Sequence, residues 1–288
     1  MKISIIVPFY KGNQFIPNLL KMVQKLVNAL ELTINDLELI LVNDSPSNDI
    51  IFPNANLNFK IKKIKNITNV GIHKSRINGL RRAEGEFIIF LDQDDELLTS
   101  NYKRQYELIN QNNLDIVVGN ALYDFPQKKV KLYKSLRQMN YLIKEDTFIN
   151  IRDVIASPGQ CIIRRKAIPS KWIEHPMNIN GADDWLLWLL LFDNGVNFAC
   201  NDDIVYHHKS TLAGNLSFDL DSMYSSCHEM LAILDKIGYA KEKKERLKES
   251  IRFKYLKDTN QLNLAEIIKY RKSIINNLSY KLGRYIND

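Results

Sequence analysis

Cysteine is scarce in this 288-residue sequence, and Cys161, Cys200 and Cys227 lie far apart with no CxxC or CxxH spacing. That pattern argues against a zinc site and a disulfide framework, and it suits a reducing cytoplasm. Long apolar runs are also missing: the longest, Trp185 to Phe192, has eight residues, well short of a membrane span. The opening Met1-Lys-Ile-Ser-Ile-Ile-Val-Pro8 is too short in its apolar part for a secretory leader, so none is expected. There is no internal repeat and no low-complexity linker. Nor is there a block of pure positive charge, although the net charge is +7. Residues 218–288 carry much of that excess, with 14 Lys/Arg against 10 Asp/Glu, but Lys241 to Glu249 alternates sign as a solvated helix face does. Basic patches interleaved with aromatics are lacking, so no nucleic-acid partner is expected.

What is present is an ordinary globular composition, 45% hydrophobic and 25% charged, long enough to bury a substantial core. Against that background one stretch stands out: Glu86-Phe-Ile-Ile-Phe-Leu91-Asp92-Gln93-Asp94-Asp95-Glu96. Four acidic residues follow a short apolar strand, where open α/β sheets place their ligand crevices. Clustered carboxylates repel unless a proton or cation lies between them, and alternate Asp residues offer oxygen ligands suited to Mg²⁺ or Mn²⁺. The same residues would also serve as a helix N-cap.

The apolar pattern predicts strands over 3–7, 37–42, 59–64 and 87–91, with helices over 15–32 and 72–83. This β-α-β-β-α-β order implies a mainly parallel, three-layer α/β sheet with right-handed crossovers. Asn43-Asp44 and Asp92 would then share one crevice. Further strands are expected over 114–119 and 160–164, with one ending near Tyr206. A helix is expected over 182–192, a polar, turn-rich stretch over 123–150, and helices from about 218 onward.

The ordered set Ser4-Ile-Ile-Val-Pro8-Phe-Tyr10, Leu41-Val-Asn43-Asp44-Ser45, Asn69-Val-Gly71 through Arg76-Ile-Asn78-Gly79 to Ala83-Glu-Gly85-Glu86, and Leu91-Asp92-Gln93-Asp94-Asp95 resembles the family 2 glycosyltransferases of the GT-A fold. The resemblance spans roughly residues 1–210. It implies a GT-A-type, Rossmann-like sandwich over 1–215 with a nucleotide-sugar half (1–98) and an acceptor half (99–215), followed by a helical extension over 216–288. It also implies an inverting, metal-dependent transfer from a nucleotide-diphosphate sugar, UDP-linked, to a saccharide or lipid-linked saccharide in bacterial surface polysaccharide synthesis.

Residue roles follow from the same resemblance. Pro8 and Tyr10 would line the nucleotide pocket, Tyr10 as a stacking surface, with strand-end packing the alternative for Pro8. Asp44 would accept from the base, Arg76 would contact base or phosphate, and Gln93 belongs to the same donor-binding set. Asp92 would touch ribose or metal, Asp94 would bind the Mn²⁺ or Mg²⁺ that bridges the diphosphate, and Asp95 would orient the donor sugar or cap a helix. Gly181-Ala-Asp183-Asp184-Trp185 resembles the family's G-x-E-D-W element. A carboxylate there would remove the acceptor hydroxyl proton. Asp184 is the first candidate and Asp183 the second, and both also fit as helix caps. Trp185 is a candidate stacking surface for the acceptor. His208 is the candidate late metal or diphosphate contact, with Lys209 as the alternative in another register.

Several positions depart from the family pattern. The turn Ser45-Pro46-Ser47-Asn48-Asp49 lacks the usual Gly-Ser, Lys11 stands where Asn is common, and Trp172-Ile-Glu-His-Pro-Met replaces a G-x-F segment. A phosphohydrolase of the haloacid dehalogenase kind also places D-x-D after an apolar strand and is the alternative reading. It expects Thr or Val where this chain has Glu96. The C-terminal helices, with Phe253, Tyr255, Tyr270, Tyr280 and Tyr285 among lysines, suggest docking to the cytoplasmic membrane face or to a partner.

Overall fold

The computed structural model describes residues 1–53, 56–111, 113–125, 128–209 and 219–286. The chain divides into two compact units: Met1–Leu132 with Ala156–Ile168 and Val196–Ser210, and Tyr133–Ile155 with Pro169–Gly195 and Thr211–Asp288. The boundary expected at 215/216 lies outside the described residues.

The first unit holds the strands found among the described residues: β1 (Ile3–Phe9), β2 (Leu37–Asn43), β3 (Lys60–Lys65), β4 (Phe87–Phe90), β5 (Glu96–Leu97), β6 (Ile116–Phe125), β7 (Lys128–Lys131), β8 (Cys161–Arg164) and β9 (Phe198–His208). They form one sheet in the order β3-β2-β1-β4-β8-β6-β9-β5, with β7 on β6. The expected parallel pairing is realised in β3-β2-β1-β4 and again between β6 and β9. β8 joins these two runs antiparallel to both neighbours.

Local sequence explains the layering. β2 is buried along its whole length, as a strand covered on both faces must be, while the alternating lysines of β3 are half-exposed at the sheet edge. Helix α1 (Ile16–Ala29), entered through Pro17, buries Leu19, Leu20, Val23, Leu26 and Val27 at helical spacing. Helix α2 (Ile72–Arg82) comes close to the sheet at Gly79, where a side chain would collide with Ile6 and press on Val42. Inside the sheet, Glu38 is fully buried. Burial alone would raise its pKa, but bonds from Lys62, the Ser4 hydroxyl and the Glu84 N–H outweigh that and hold it below the ordinary range.

Two differences from the expected elements have physical causes. Helix α3 (Thr99–Gln111) was not anticipated, because it buries only Tyr102, Gln105 and Ile109 along a polar sequence. The stretch 123–150 is more regular than its polarity suggests: it completes β6, forms β7, and continues as two short helices of the second unit.

Those helices are α4 (Leu136–Leu142) and α5 (Glu145–Asn150), each with a few buried residues such as Met139 and Phe148. The second unit continues with α6 (Ser170–Glu174), α7 (Asp183–Asp193), α8 (Leu220–Lys236), α9 (Lys241–Asp258), α10 (Leu264–Lys269) and α11 (Arg271–Ile286). Trp185 to Leu191 are all buried, so α7 is a core helix rather than an amphipathic one. Asp219 caps α8 and Asn263 caps α10 through backbone N–H groups three residues on. Among the described residues no helix is long and apolar enough to cross a membrane.

Candidate active site

Parallel strands β2, β1 and β4 are neighbours, so their C-terminal ends bring Asn43-Asp44, Phe9-Tyr10 and Leu91-Asp92 to one edge of the sheet. Helix α2 ties two of these ends together. The Asp44 carboxylate, which is buried, accepts from Asn66 Nδ2 (2.9 Å), the Val70 N–H (2.8 Å) and the Gly71 N–H (2.9 Å), anchoring the entry to α2. Gly71 has φ 88°, a left-handed conformation that favours glycine at this turn. Three bonds leave Asp44 roughly one acceptor position for a further donor. Four residues into α2, buried Arg76 donates from Nη2 to Asp92 Oδ1 at 2.8 Å, and Ser157 Oγ donates to Asp92 Oδ2 at 3.2 Å.

Gln93 holds the other strand end. Its Oε1 accepts from the Tyr10 N–H (3.0 Å) and its Nε2 donates to the Tyr10 carbonyl (3.1 Å), so the amide pairs with backbone as a strand would. The Tyr10 ring is 47% exposed, with the Lys11 ammonium 5.1 Å from its centroid. Pro8 lies within β1, paired with Val42.

The remaining acids divide sharply. Asp95 is buried and collects three donors from the end of β9: the Tyr206 hydroxyl, His208 Nδ1 (3.2 Å) and the Lys209 N–H (2.9 Å). Glu96 pairs with Lys209 Nζ at 2.9 Å, and that bond holds its carboxyl below the ordinary range. His207 turns instead to Asp124, 2.9 Å away. Burial opposes a charged His208, but the Asp95 bond and the surrounding carboxylates raise its pKa above the usual value. With Nδ1 directed at Asp95, Nε2 is the nitrogen left for a ligand.

Among the described residues, Asp94 takes no hydrogen bond or ion pair from another residue's donor. Burial, then the charges of Asp95 and Asp92, push its carboxyl up to about 6. Among the described residues no three His, Cys, Asp or Glu side chains close around a metal position. The oxygen donors present therefore fit a hard cation bound by one or two carboxylates, with diphosphate oxygens and water completing its shell.

The second unit carries the other acidic pair. Asp183 and Asp184 open α7; Asp183 is buried, and Asp184 Oδ1 accepts from the Trp185 N–H at 2.7 Å. Trp172 Nε1 donates to the Asp183 carbonyl (2.8 Å), and Trp185 Nε1 donates to the Phe148 carbonyl (3.1 Å). Trp185 is thus a buried anchor of the helix start, not the stacking surface considered from sequence. Sequence reasoning missed Asp153 entirely. Burial, then the charge of Asp184, pushes its carboxyl well above the usual range, while Oδ1 accepts from the Ile155 N–H at 2.8 Å. No spacing linked Asp153 to Asp184. Tyr206 was likewise unassigned, although its hydroxyl binds Asp95. Burial pushes the Cys200 and Cys227 thiols up to about 12, which disfavours a thiolate at either.

Comparison with known proteins adds three findings. The family model described as Glycosyl transferase family 2 matches residues 4–170. Among curated proteins, an uncharacterized glycosyltransferase of Haemophilus influenzae is 31% identical over 144 residues, covering 49% of this chain and 55% of its own length. The poly(ribitol-phosphate) β-N-acetylglucosaminyltransferase TarS of Staphylococcus aureus is 24% identical over 247 residues, covering 83% of this chain and 40% of TarS. The chain thus spans about half or less of these relatives. Among solved structures, TarS 1–349 in complex with UDP-GlcNAc aligns with TM-score 0.62 at 18% identity, over 95% of this chain and 79% of that one. The mannosyltransferase PcManGT of Pyrobaculum calidifontis, in complex with GDP-Man and Mn²⁺, aligns with TM-score 0.55 at 14% identity, over 99% and 84%. At such identities the shared property is the fold.

Proposed function

We propose, since the chain belongs to glycosyl transferase family 2 and is built on the GT-A fold, that it moves a sugar from a UDP-sugar to a hydroxyl of a saccharide or lipid-linked saccharide acceptor, with inversion, in bacterial surface polysaccharide synthesis. The observation that carries this reading is the asymmetry of the acidic run: Asp92 and Asp95 are satisfied by protein donors, while Asp94 is half-buried beside them and its carboxyl is pushed up to about 6. Such a group is suited to a cation that arrives with a diphosphate. The nucleotide side falls to Pro8, Tyr10, Asp44, Arg76, Asp92 and Gln93, the metal side to Asp94 with Asp92 and His208. A nucleophilic Asp92, which the hydrolase alternative requires, fits poorly with a carboxylate already held by Arg76 and Ser157.

In the proposed reaction the acceptor oxygen attacks the anomeric carbon as the bond from that carbon to the diphosphate breaks. The nucleoside diphosphate leaves with the electron pair. Asp184 takes the hydroxyl proton, with Asp183 as the second candidate, and the N-terminus of α7 favours the ionised carboxylate that this role needs. Mn²⁺ or Mg²⁺, when bound, would offset the negative charge gathering on the diphosphate. Arg76 keeps Asp92 aimed through their 2.8 Å ion pair, and His208, held through Nδ1 by Asp95, has Nε2 left for the metal side. The domain reading keeps 1–98 for the donor, 99–215 for the acceptor and 216–288 as a helical region. That region is read as a docking element for the cytoplasmic membrane face or for a second copy.

The test is a calorimetric screen of UDP-sugars with and without Mn²⁺, on the full chain and on Asp94→Ala. Metal-dependent binding of at least one UDP-sugar is expected, and its loss in the variant. Unchanged affinity and metal dependence in Asp94→Ala would remove Asp94 from the site, and metal-stimulated phosphate release from nitrophenyl phosphate that Asp92→Asn abolishes would replace the transferase reading with the hydrolase one.

A further inference from the structure

Helix α11 turns its apolar side outward. Ile275, Leu278 and Leu282 are 59%, 54% and 61% exposed, while Ser273 and Gly283 are buried. Spacings of three and four residues put the exposed positions on one stripe. The preceding helix α10 also exposes Leu264 and Ile268, at 80% and 66%. An amphipathic helix normally buries such a stripe, and contiguous exposed Leu and Ile mark a contact surface.

Packing pins this rotation. Ile274 packs against Phe253, Leu256 and Tyr270, and an added Cβ at Gly283 would run into the Tyr141 ring. The expected role of aromatics is corrected by the same contacts. Phe253 and Tyr270 are core, Tyr255 stacks on Tyr224 at 4.1 Å between centroids, and the Tyr285 side chain lies outside the described residues. The outward surface is aliphatic.

Charge identifies its partner. Between residues 264 and 286 the sequence has five basic residues and a single acid, Glu266. At about 100° per residue, Lys272 and Lys281 fall on opposite flanks of the 275/278/282 stripe, and both are exposed. A second copy of this face would supply apolar contact but only Glu266 to answer those lysines. An anionic bilayer supplies both an acyl boundary and phosphates.

We propose that the α10–α11 face docks on an anionic lipid surface, with Leu264, Ile268, Ile275, Leu278 and Leu282 entering the acyl boundary and Lys272 and Lys281 meeting headgroup phosphates. This narrows the docking reading given above to one partner and stands independently of the transfer chemistry. Flotation of the full chain with vesicles of phosphatidylcholine, alone or with about 30 mol% phosphatidylglycerol, tests it. The full chain floats only with the anionic vesicles. Combined Ile275→Ser, Leu278→Ser and Leu282→Ser lowers the partition coefficient about tenfold or more. Lys272→Glu with Lys281→Glu also lowers it, while both variants keep the circular dichroism and UDP-sugar binding of the parent. Absence of flotation by the parent, or equal flotation by parent and both variants, overturns the proposal. So does a parent dimer in sedimentation velocity that the serine variant dissociates without losing flotation.

Discussion

The two units each bury acidic side chains close together, but they neutralise them differently. In the first unit, Asp92 and Asp95 are met by Arg76, Ser157, the Tyr206 hydroxyl, His208 and the Lys209 N–H, while the Asp94 carboxyl is forced upward, to about 6. In the second, desolvation and then the charge of Asp184 raise the Asp153 carboxyl well above the usual range. On the proposed reading the first cluster admits a cation, while the raised carboxyl of the second keeps a proton. Carboxylate pairing alone does not tell these apart; the donors around each carboxyl do.

The largest effect that tests this contrast is expected at Asp184. Asp184→Asn keeps an oxygen to accept from the Trp185 N–H but loses the base, so kcat should fall about 10²- to 10⁴-fold with Mn²⁺-dependent donor affinity unchanged. Steady-state kinetics beside calorimetry would check it. A loss of donor affinity instead would mean that the second cluster also belongs to the cation side. If Asp183→Asn causes the larger fall, the roles of the two residues exchange.

Next comes the pH response of Asp94. Its folded pKa, about 6, lies above the ordinary 3.8. The folded state therefore holds this proton more tightly than the unfolded chain, and stability is lost as pH rises from near 4 through about 6. Asp94→Asn should remove that part of the slope and raise the metal-free stability at neutral pH by about 1–2 kcal/mol, while eliminating the stabilisation that Mn²⁺ with UDP gives the parent. Thermal melts across pH, with and without Mn²⁺ and UDP, provide the readout. A variant that melts like the parent under both conditions would show that Asp94 is not the strained member of the cluster.

How much of this was legible follows the same division. The order of the first strands and helices, and the placing of Asp44 and Asp92 at strand ends, could be read because the apolar pattern of those elements is local. The residues that complete the cluster could not, since their partners are distant in sequence: Ser157 is 65 residues from Asp92, and Tyr206 is 111 from Asp95. Asp153 lies in the irregular stretch after α5, with no periodicity to point it toward Asp184. Helix α3 escaped for a related reason, its inward positions including Gln105, which bonds to the carbonyls of Val117 and Gln160 rather than presenting an apolar side chain. Such polar core residues are recognised only when their partners are placed.

The smallest expected effect, Asp153→Asn, separates a proton-holding carboxyl from a cation-holding one. Because its folded pKa is raised, Asp153 also makes the folded state lose stability as pH climbs above the ordinary carboxyl range. The neutral amide lacks that liability, so the difference in melting temperature between variant and parent should widen from about pH 4 to pH 8. In this it resembles Asp94→Asn. The two variants should part on addition of Mn²⁺ and UDP, which stabilise Asp153→Asn as fully as the parent and leave Asp94→Asn unmoved. Parallel melting profiles for Asp153→Asn and the parent would remove the raised carboxyl, and a lost Mn²⁺ response would make the two clusters one in function, because a residue that serves only to retain a proton has no reason to sense the cation.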